Sequence, residues 1–165
     1  MSSNRLKITT PSDLEVVINR TFDAPRHLVF EAMTTPELIR EWLFLPPGWE
    51  MTVCDDDART GGSFRWAWNG PDGKPGMAMG GKYREVVPPE RIVRTEQFEL
   101  GCDSRTGEQL VTLELREEGG RTHLTLTILF PSKEARDGLL ASGMERGMSA
   151  GYDKLEAMVK ARARR

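Results

Sequence analysis

Four residues able to do chemistry sit inside a stretch otherwise suited to a core: Tyr83, Glu85, Arg94 and Glu96. They flank the Pro88-Pro89 corner. A simple hairpin there sets Val87 opposite Ile92, Glu85 opposite Arg94 and Tyr83 opposite Glu96. Strand alternation then puts all of them on one face. An unpaired charge buried on such a face costs several kcal/mol, so these groups must pair or meet water. Two readings follow. One is a cross-strand ion pair at a wet sheet edge. The other is a polar anchor inside an otherwise apolar pocket. Tyr83 beside a glutamate also has the makings of an acid and a base. Nothing nearby joins a nucleophile to a base, so the chain leans away from an enzyme, and no catalytic residue is assigned.

The remaining reactive residues are scattered. Cys54 and Cys102 lie far apart with no second Cys or His motif, which fits reduced thiols in a cytoplasmic protein. The two histidines, His27 and His123, belong to unrelated segments, and His123 reads as an exposed strand residue. The run Asp55-Asp56-Asp57 is better read as a solvated loop than as a metal site. No metal or cofactor is expected.

These residues need a sheet to position them. Residues 14–22 alternate and are β-branched, as a first strand should be. Pro25 opens a short helix, and Thr35-Pro36-Glu37 opens a second, stopped by Pro46-Pro47-Gly48. From Trp49 to Phe130 the chain reads as strands punctuated by turn-rich loops at 69–76, 88–89, 101–107 and 118–120. Pairing across the 69–76 loop sets Trp68 opposite Met77, Trp66 opposite Met79 and Phe64 opposite Gly81. Farther on, Phe98 meets Val111, and then Ile128. The inner face is then aromatic and apolar. Arg65, Lys82, Arg84 and Thr95 are among the residues of the opposite, solvated face.

Ser132 caps a last helix able to run to Arg165, with room for a bend at Ser142-Gly143. At about 100° per residue, Met144, Met148, Tyr152, Leu155 and Val159 form one stripe. Gly143, Gly147 and Gly151 border it. They permit close backbone approach to the sheet, or they leave a gap that encloses a cavity. The basic end complements the helix dipole. Residues 1–12 read as a flexible tail, and 13–165 as a single domain of α+β class.

Composition excludes several classes of function. The chain has 165 residues, 23 Lys+Arg against 25 Asp+Glu and a net charge of -2, unlike a basic nucleic-acid binder. Its longest apolar run, Trp42 to Leu45, is far short of the roughly 20 residues of a membrane span. The first residues lack the apolar core of a signal peptide. Monomer and homodimer both remain open.

Several motifs in order carry a resemblance. Phe22-Asp23-Ala24-Pro25 leads to Val29-Phe30-Glu31-Ala32, then Thr35-Pro36-Glu37 and Trp42. Gly61-Gly62-Ser63-Phe64-Arg65-Trp66, the loop 70–73, the segment 83–93 and Gly151-Tyr152 with Leu155 follow. Together they resemble the family of proteins like the homologues of the activator of Hsp90 ATPase (AHSA-like), within the START-like, or SRPBCC, helix-grip superfamily. At Tyr152 the family more often has Trp.

The resemblance implies a helix-grip fold. A curved seven-stranded antiparallel sheet wraps a long C-terminal helix, with two short helices after strand one. It also implies an internal cavity that commonly holds apolar or amphipathic ligands. The expected function is therefore binding of a small hydrophobic or amphipathic molecule. Phe64, Trp66, Trp68, Met79, Phe98, Met144, Met148 and Tyr152 form its wall. Tyr83, Glu85, Arg94 and Glu96 orient a polar head, and Trp42 and Phe44 form the mouth. The alternatives are a co-chaperone or stress-response module with a chaperone partner, and a cyclase or hydratase using Tyr83 and Glu85 in the same cavity.

Overall fold

The computed structural model describes residues 4–43, 45–100 and 104–165. Phe44 and Cys102 therefore lie outside the described residues. The elements run β1 (Lys7–Thr9), β2 (Glu15–Phe22), α1 (Arg26–Thr34), α2 (Pro36–Trp42), β3 (Glu50–Asp56), β4 (Ser63–Asn69), β5 (Pro75–Val87), β6 (Arg91–Leu100), β7 (Ser104–Glu118), β8 (Arg121–Leu129), α3 (Lys133–Ala141) and α4 (Met144–Ala163). All strands join one antiparallel sheet in the order β1-β2-β8-β7-β6-β5-β4-β3. Six successive strands, β3 to β8, form a meander, and β2 pairs with β8. The helices α1 and α2 carry the chain from β2, next to the β1 edge of the sheet, to β3 at the opposite edge.

The sheet thus has eight strands rather than seven. The added strand, β1, lies in the segment expected to be a tail and pairs with β2, Ile8 opposite Ile18. Two residues of partly buried apolar character, Leu6 and Ile8, tie it to the core. The short helices accordingly follow the second strand, not the first. Thr35 is the N-cap of α2, but its side chain makes no capping hydrogen bond.

One face of the sheet is covered by α4. Alternation in β2 buries Val16, Ile18, Arg20 and Phe22. On α4, Leu155 and Val159 are fully buried, and Tyr152 nearly so. Phe22 meets the Tyr152 ring edge-on at 5.6 Å. Arg20, almost wholly inaccessible, locks the helix to the sheet through Asp153 Oδ1 and Glu156 Oε1, each at 2.7 Å. Arg162 adds an ion pair from α4 to Glu31 on α1.

The last helical segment is two helices, not one. Ser132 caps α3, its Oγ accepting from Ala135 N at 3.1 Å. The break falls at Gly143, where φ is +82°, a conformation that side chains disfavour. It separates α3 from α4 at the bend read from Ser142-Gly143.

Two irregularities shape β5. A Cβ on Gly81 would lie 1.8 Å from Thr95 O, so only glycine allows β5 to approach β6 there. Beyond it a bulge lies between Tyr83 and Glu85: Tyr83 pairs with Arg94, whereas Glu85 pairs with Val93. The sheet face of every later β5 residue is exchanged.

Candidate functional site

Between the sheet and the N-terminal half of α4 lies a hollow of about 380 Å³, partly open to the surface. This volume falls in the range of small-molecule pockets. Its floor is the inner face of the central strands. β4 supplies Trp66 and Trp68, β5 supplies Met77 and Met79, and β6 supplies Arg94, Glu96 and Phe98. Its roof is Met144, Gly147, Met148, Gly151 and Tyr152 of α4. The rim comes from Trp42 and the segment after α2, including Leu45 and Trp49. The floor forms because the registers Trp66 opposite Met79 and Trp68 opposite Met77 hold as expected from the sequence. Gly147 and Gly151 put no side chain into the hollow from the roof.

A polar row crosses this apolar floor. Arg94 and Glu96, two residues apart on one face of β6, form an ion pair with Nη2 to Oε2 at 2.7 Å. Gln109, the cross-strand partner of Glu96, donates from Nε2 to the other carboxylate oxygen at 3.0 Å. Arg94 Nη1 reaches the Tyr83 hydroxyl at 3.3 Å, and that hydroxyl donates to Asp56 Oδ1 at 2.5 Å. Asp56 Oδ2 accepts from the Trp66 indole at 3.3 Å. The Arg94 guanidinium also stacks 4.2 Å from the Phe64 ring centroid. So the polar row consists of an ion pair extended at both ends by hydrogen bonds.

Its electrostatics follow from burial. Burial raises Asp56 above the ordinary carboxylate value, against the hydrogen bond from Tyr83 and the charge of Arg94. Burial pushes the Tyr83 hydroxyl up, and Asp56 adds to that; burial likewise raises Tyr152. For Arg94, burial works against the charge, but Glu96, Tyr83 and Asp56 outweigh it and hold the proton more firmly. Every phenol here is therefore a proton donor at neutral pH, and the guanidinium is a compensated cation. Chemically these groups can donate hydrogen bonds and orient a molecule, and none of Asp56, Tyr83, Arg94 and Tyr152 is an activated nucleophile. Among the described residues no three His, Cys, Asp or Glu side chains gather as a metal site.

The structure brings together Trp42, Trp66, Trp68, Met79, Arg94, Glu96, Phe98, Met144, Met148 and Tyr152 around the hollow. Phe64 and Tyr83 are buried beneath this wall, behind Arg94, rather than on it. Glu85 is a correction. The bulge after Tyr83 turns it to the outer face, where it pairs with Arg91 at 2.7 Å. The expected pairings of Glu85 with Arg94, Tyr83 with Glu96 and Val87 with Ile92 fail in two steps: the corner closes one residue tighter, with Val87 opposite Arg91, and the bulge then sets Tyr83 opposite Arg94. β7 begins at Ser104, opposite Leu100, inside the segment expected to be a 101–107 loop, so Val111 stands opposite Arg94 rather than Phe98, with a one-residue shift between Gln97 and Glu99; Val111 opposite Ile128 holds. Without Glu85 in the cavity, the acid–base pair imagined with Tyr83 has no geometric basis.

Three participants escape the sequence reading. Asp56 looks like one of three solvated acids, yet its place at the end of β3 turns it inward. Gln109 stands on the same alternation as Val111, Leu113 and Leu115, which was the available signal. Arg20 likewise alternates with Val16, Ile18 and Phe22. Outside the cavity, His123 is half-buried and its Nδ1 lies 3.0 Å from Thr21 Oγ1.

A sheet wrapped on a C-terminal helix with a hollow between them defines the helix-grip class. The model of the family "Activator of Hsp90 ATPase homolog 1-like protein" matches residues 23–160. The chain belongs to that family. A crystal structure of a Rhodobacter sphaeroides protein is 33% identical, covers 95% of this chain and 99% of its own, and superposes with a TM-score of 0.86. A Staphylococcus epidermidis protein is 28% identical over 94% of each chain, with a TM-score of 0.77. An AHSA1-like protein from Aeromonas hydrophila, 20% identical over 88% of this chain and 94% of its own, shares the fold with a TM-score of 0.68. No curated protein matches the chain. No helix among the described residues is long and apolar enough to cross a membrane.

Proposed function

We propose that this protein binds a small hydrophobic or amphipathic molecule in the hollow between the sheet and α4. The observation that carries the reading is an opening of about 380 Å³ walled by tryptophan, methionine and phenylalanine, with one compensated polar row in its floor. A chain under selection for packing alone could close it with side chains at Gly147 and Gly151, since glycine inside a helix costs about 1 kcal/mol relative to alanine. Methionine on both floor and roof suits guests of varied shape.

The test is native mass spectrometry of freshly purified protein for a retained molecule, followed by a thermal-shift screen of lipids, flavonoid-like aromatics and polyketides. Binding should raise the melting temperature in at least one class. If no class does so, and Gly147→Leu only gains stability, the reading fails. The family's description names the Hsp90 ATPase, and a chaperone partner is the second reading. A change in a chaperone ATPase rate that survives Gly147→Leu would favour it.

A further inference from the structure

On the face of the sheet turned away from α4, β2, β7, β8 and the start of β6 line a second hollow, of about 530 Å³ and partly open to the surface. Alternation sets its chemistry: Leu113, Leu115 and Leu124 are buried on the inner face, so Glu114, Arg116, His123 and Thr125 turn outward. Two ranks of side chains cross it. Arg116 pairs with His123, and His123 with Thr21. In the next rank Glu114 pairs with Thr125, and Thr125 with Asn19. Thr21 is only 6% exposed and His123 is half-buried, although both belong to the outer face. These polar groups therefore lie in a depression.

The hydrogen bonds of the depression leave donors over. Thr125 Oγ1 donates to Asn19 Oδ1 at 3.1 Å, so the Asn19 NH2 remains. Thr21 Oγ1 lies 3.0 Å from His123 Nδ1, so the other ring nitrogen, Nε2, remains and can carry the ring proton. Among the described residues, the buried side-chain polar atoms without a partner are Trp68 Nε1 and Arg162 Nε, so these two donors are accessible. Arg116 is exposed and makes no ion pair or hydrogen bond among the described residues. Its guanidinium offers donors alone.

The carboxylates of the lining are already engaged. Glu114 Oε2 accepts from Arg91 Nη1 at 3.0 Å, and Glu90 pairs with Arg26 at 3.4 Å. Glu85 shares Arg91 from outside the lining. The one uncompensated charge of the lining is thus the guanidinium of Arg116.

We infer that this depression is a second binding site, for a small phosphate ester with a polar body. Three strands each supply one donor group: Asn19 from β2, Arg116 from β7 and His123 from β8. A phosphate ester offers three oxygens to them, and its charge answers Arg116; a carboxylate offers two. The polar lining that remains faces the ester's body. No residue lines both hollows, so the site is independent of the one under α4.

The test uses the whole chain and four probes of similar size: glycerol 3-phosphate, glycerate, glycerol and 3-amino-1,2-propanediol, at fixed pH and ionic strength. The chain has two histidines, so the imidazole NMR signal that persists in His27→Gln belongs to His123. Glycerol 3-phosphate should move that signal saturably, with a Kd of about 1 mM, and leave the His27 signal in place. Glycerate should bind more weakly, and glycerol and the amine should give no saturable shift. Arg116→Gln, at an exposed position, should weaken the phosphate about tenfold, the scale of one charge-assisted contact. Asn19→Leu should weaken it less. Glu114→Gln should strengthen it by freeing Arg91. Absence of a saturable His123 shift, an equal shift of His27, or any other probe binding as tightly as the phosphate would overturn the inference. So would an affinity unchanged in Arg116→Gln.

Discussion

The two halves of α4 meet the same sheet and make different interfaces. From Tyr152 onward the helix is packed solid: Leu155 and Val159 are fully buried, and Arg20 ties Asp153 and Glu156 down at 2.7 Å. Before Tyr152, Met144, Gly147 and Met148 are only half-buried and face a hollow. Both halves belong to one apolar stripe, so amphipathicity alone does not separate them. What separates them is the opposing surface. The closed half lies against Arg20 and Phe22 of β2 and against α1, and the open half faces the inner side of β4, β5 and β6 across the hollow. Stability is thus concentrated at one end of the helix, and the hollow borders the other.

Substitutions at the two ends should differ accordingly. Leu155→Ala in the closed half should cost about 3 kcal/mol, read by urea denaturation, as for other fully buried leucines. Arg20→Met should cost about 2 kcal/mol. That is less than a fully buried ion pair would lose, because Asp153 is 65% exposed and can return to water. Met148→Ala in the open half should cost about 1 kcal/mol or less, since its side chain already borders empty space. Gly147→Leu should gain up to about 1 kcal/mol from helix propensity and abolish uptake of any probe that binds the unmodified protein. Equal losses at Leu155 and Met148 would erase the distinction between the halves.

The smallest effect concerns pH. Burial lifts Asp56 above 3.8, so the folded state holds its proton more tightly than the unfolded chain does. The stability from this group is complete below 3.8 and is lost as pH rises through the folded value. Asp56→Asn should flatten that decline. A stability–pH profile parallel to that of the unmodified protein would assign the slope elsewhere.

The sequence reveals the parts of this molecule governed by short-range rules. Strand alternation and the 69–76 loop place Trp66, Trp68 and Met79 correctly, and the helical stripe places Met144, Met148 and Tyr152. Ser132 and Gly143 mark the helix boundaries. What escapes it is register. A bulge inserts one residue without a distinctive signature, and it moves Glu85 from the floor to the outer surface. Asp56 escapes for a related reason: its partner Tyr83 is 27 residues away and meets it only once three strands are laid side by side. β1 is too short for alternation to announce it, and only β2 gives it a place.

The β5 bulge has a consequence for how the molecule can vary. With Tyr83 inward, Arg84 and Glu85 outward and Val86 inward again, a chain lacking Arg84 would keep every neighbouring side chain on its present side. Only the local coiling of the strand would relax. The curvature of the jaw and the chemistry of its lining are therefore separable at this one codon, and its deletion should change the volume of the hollow without replacing a single wall residue.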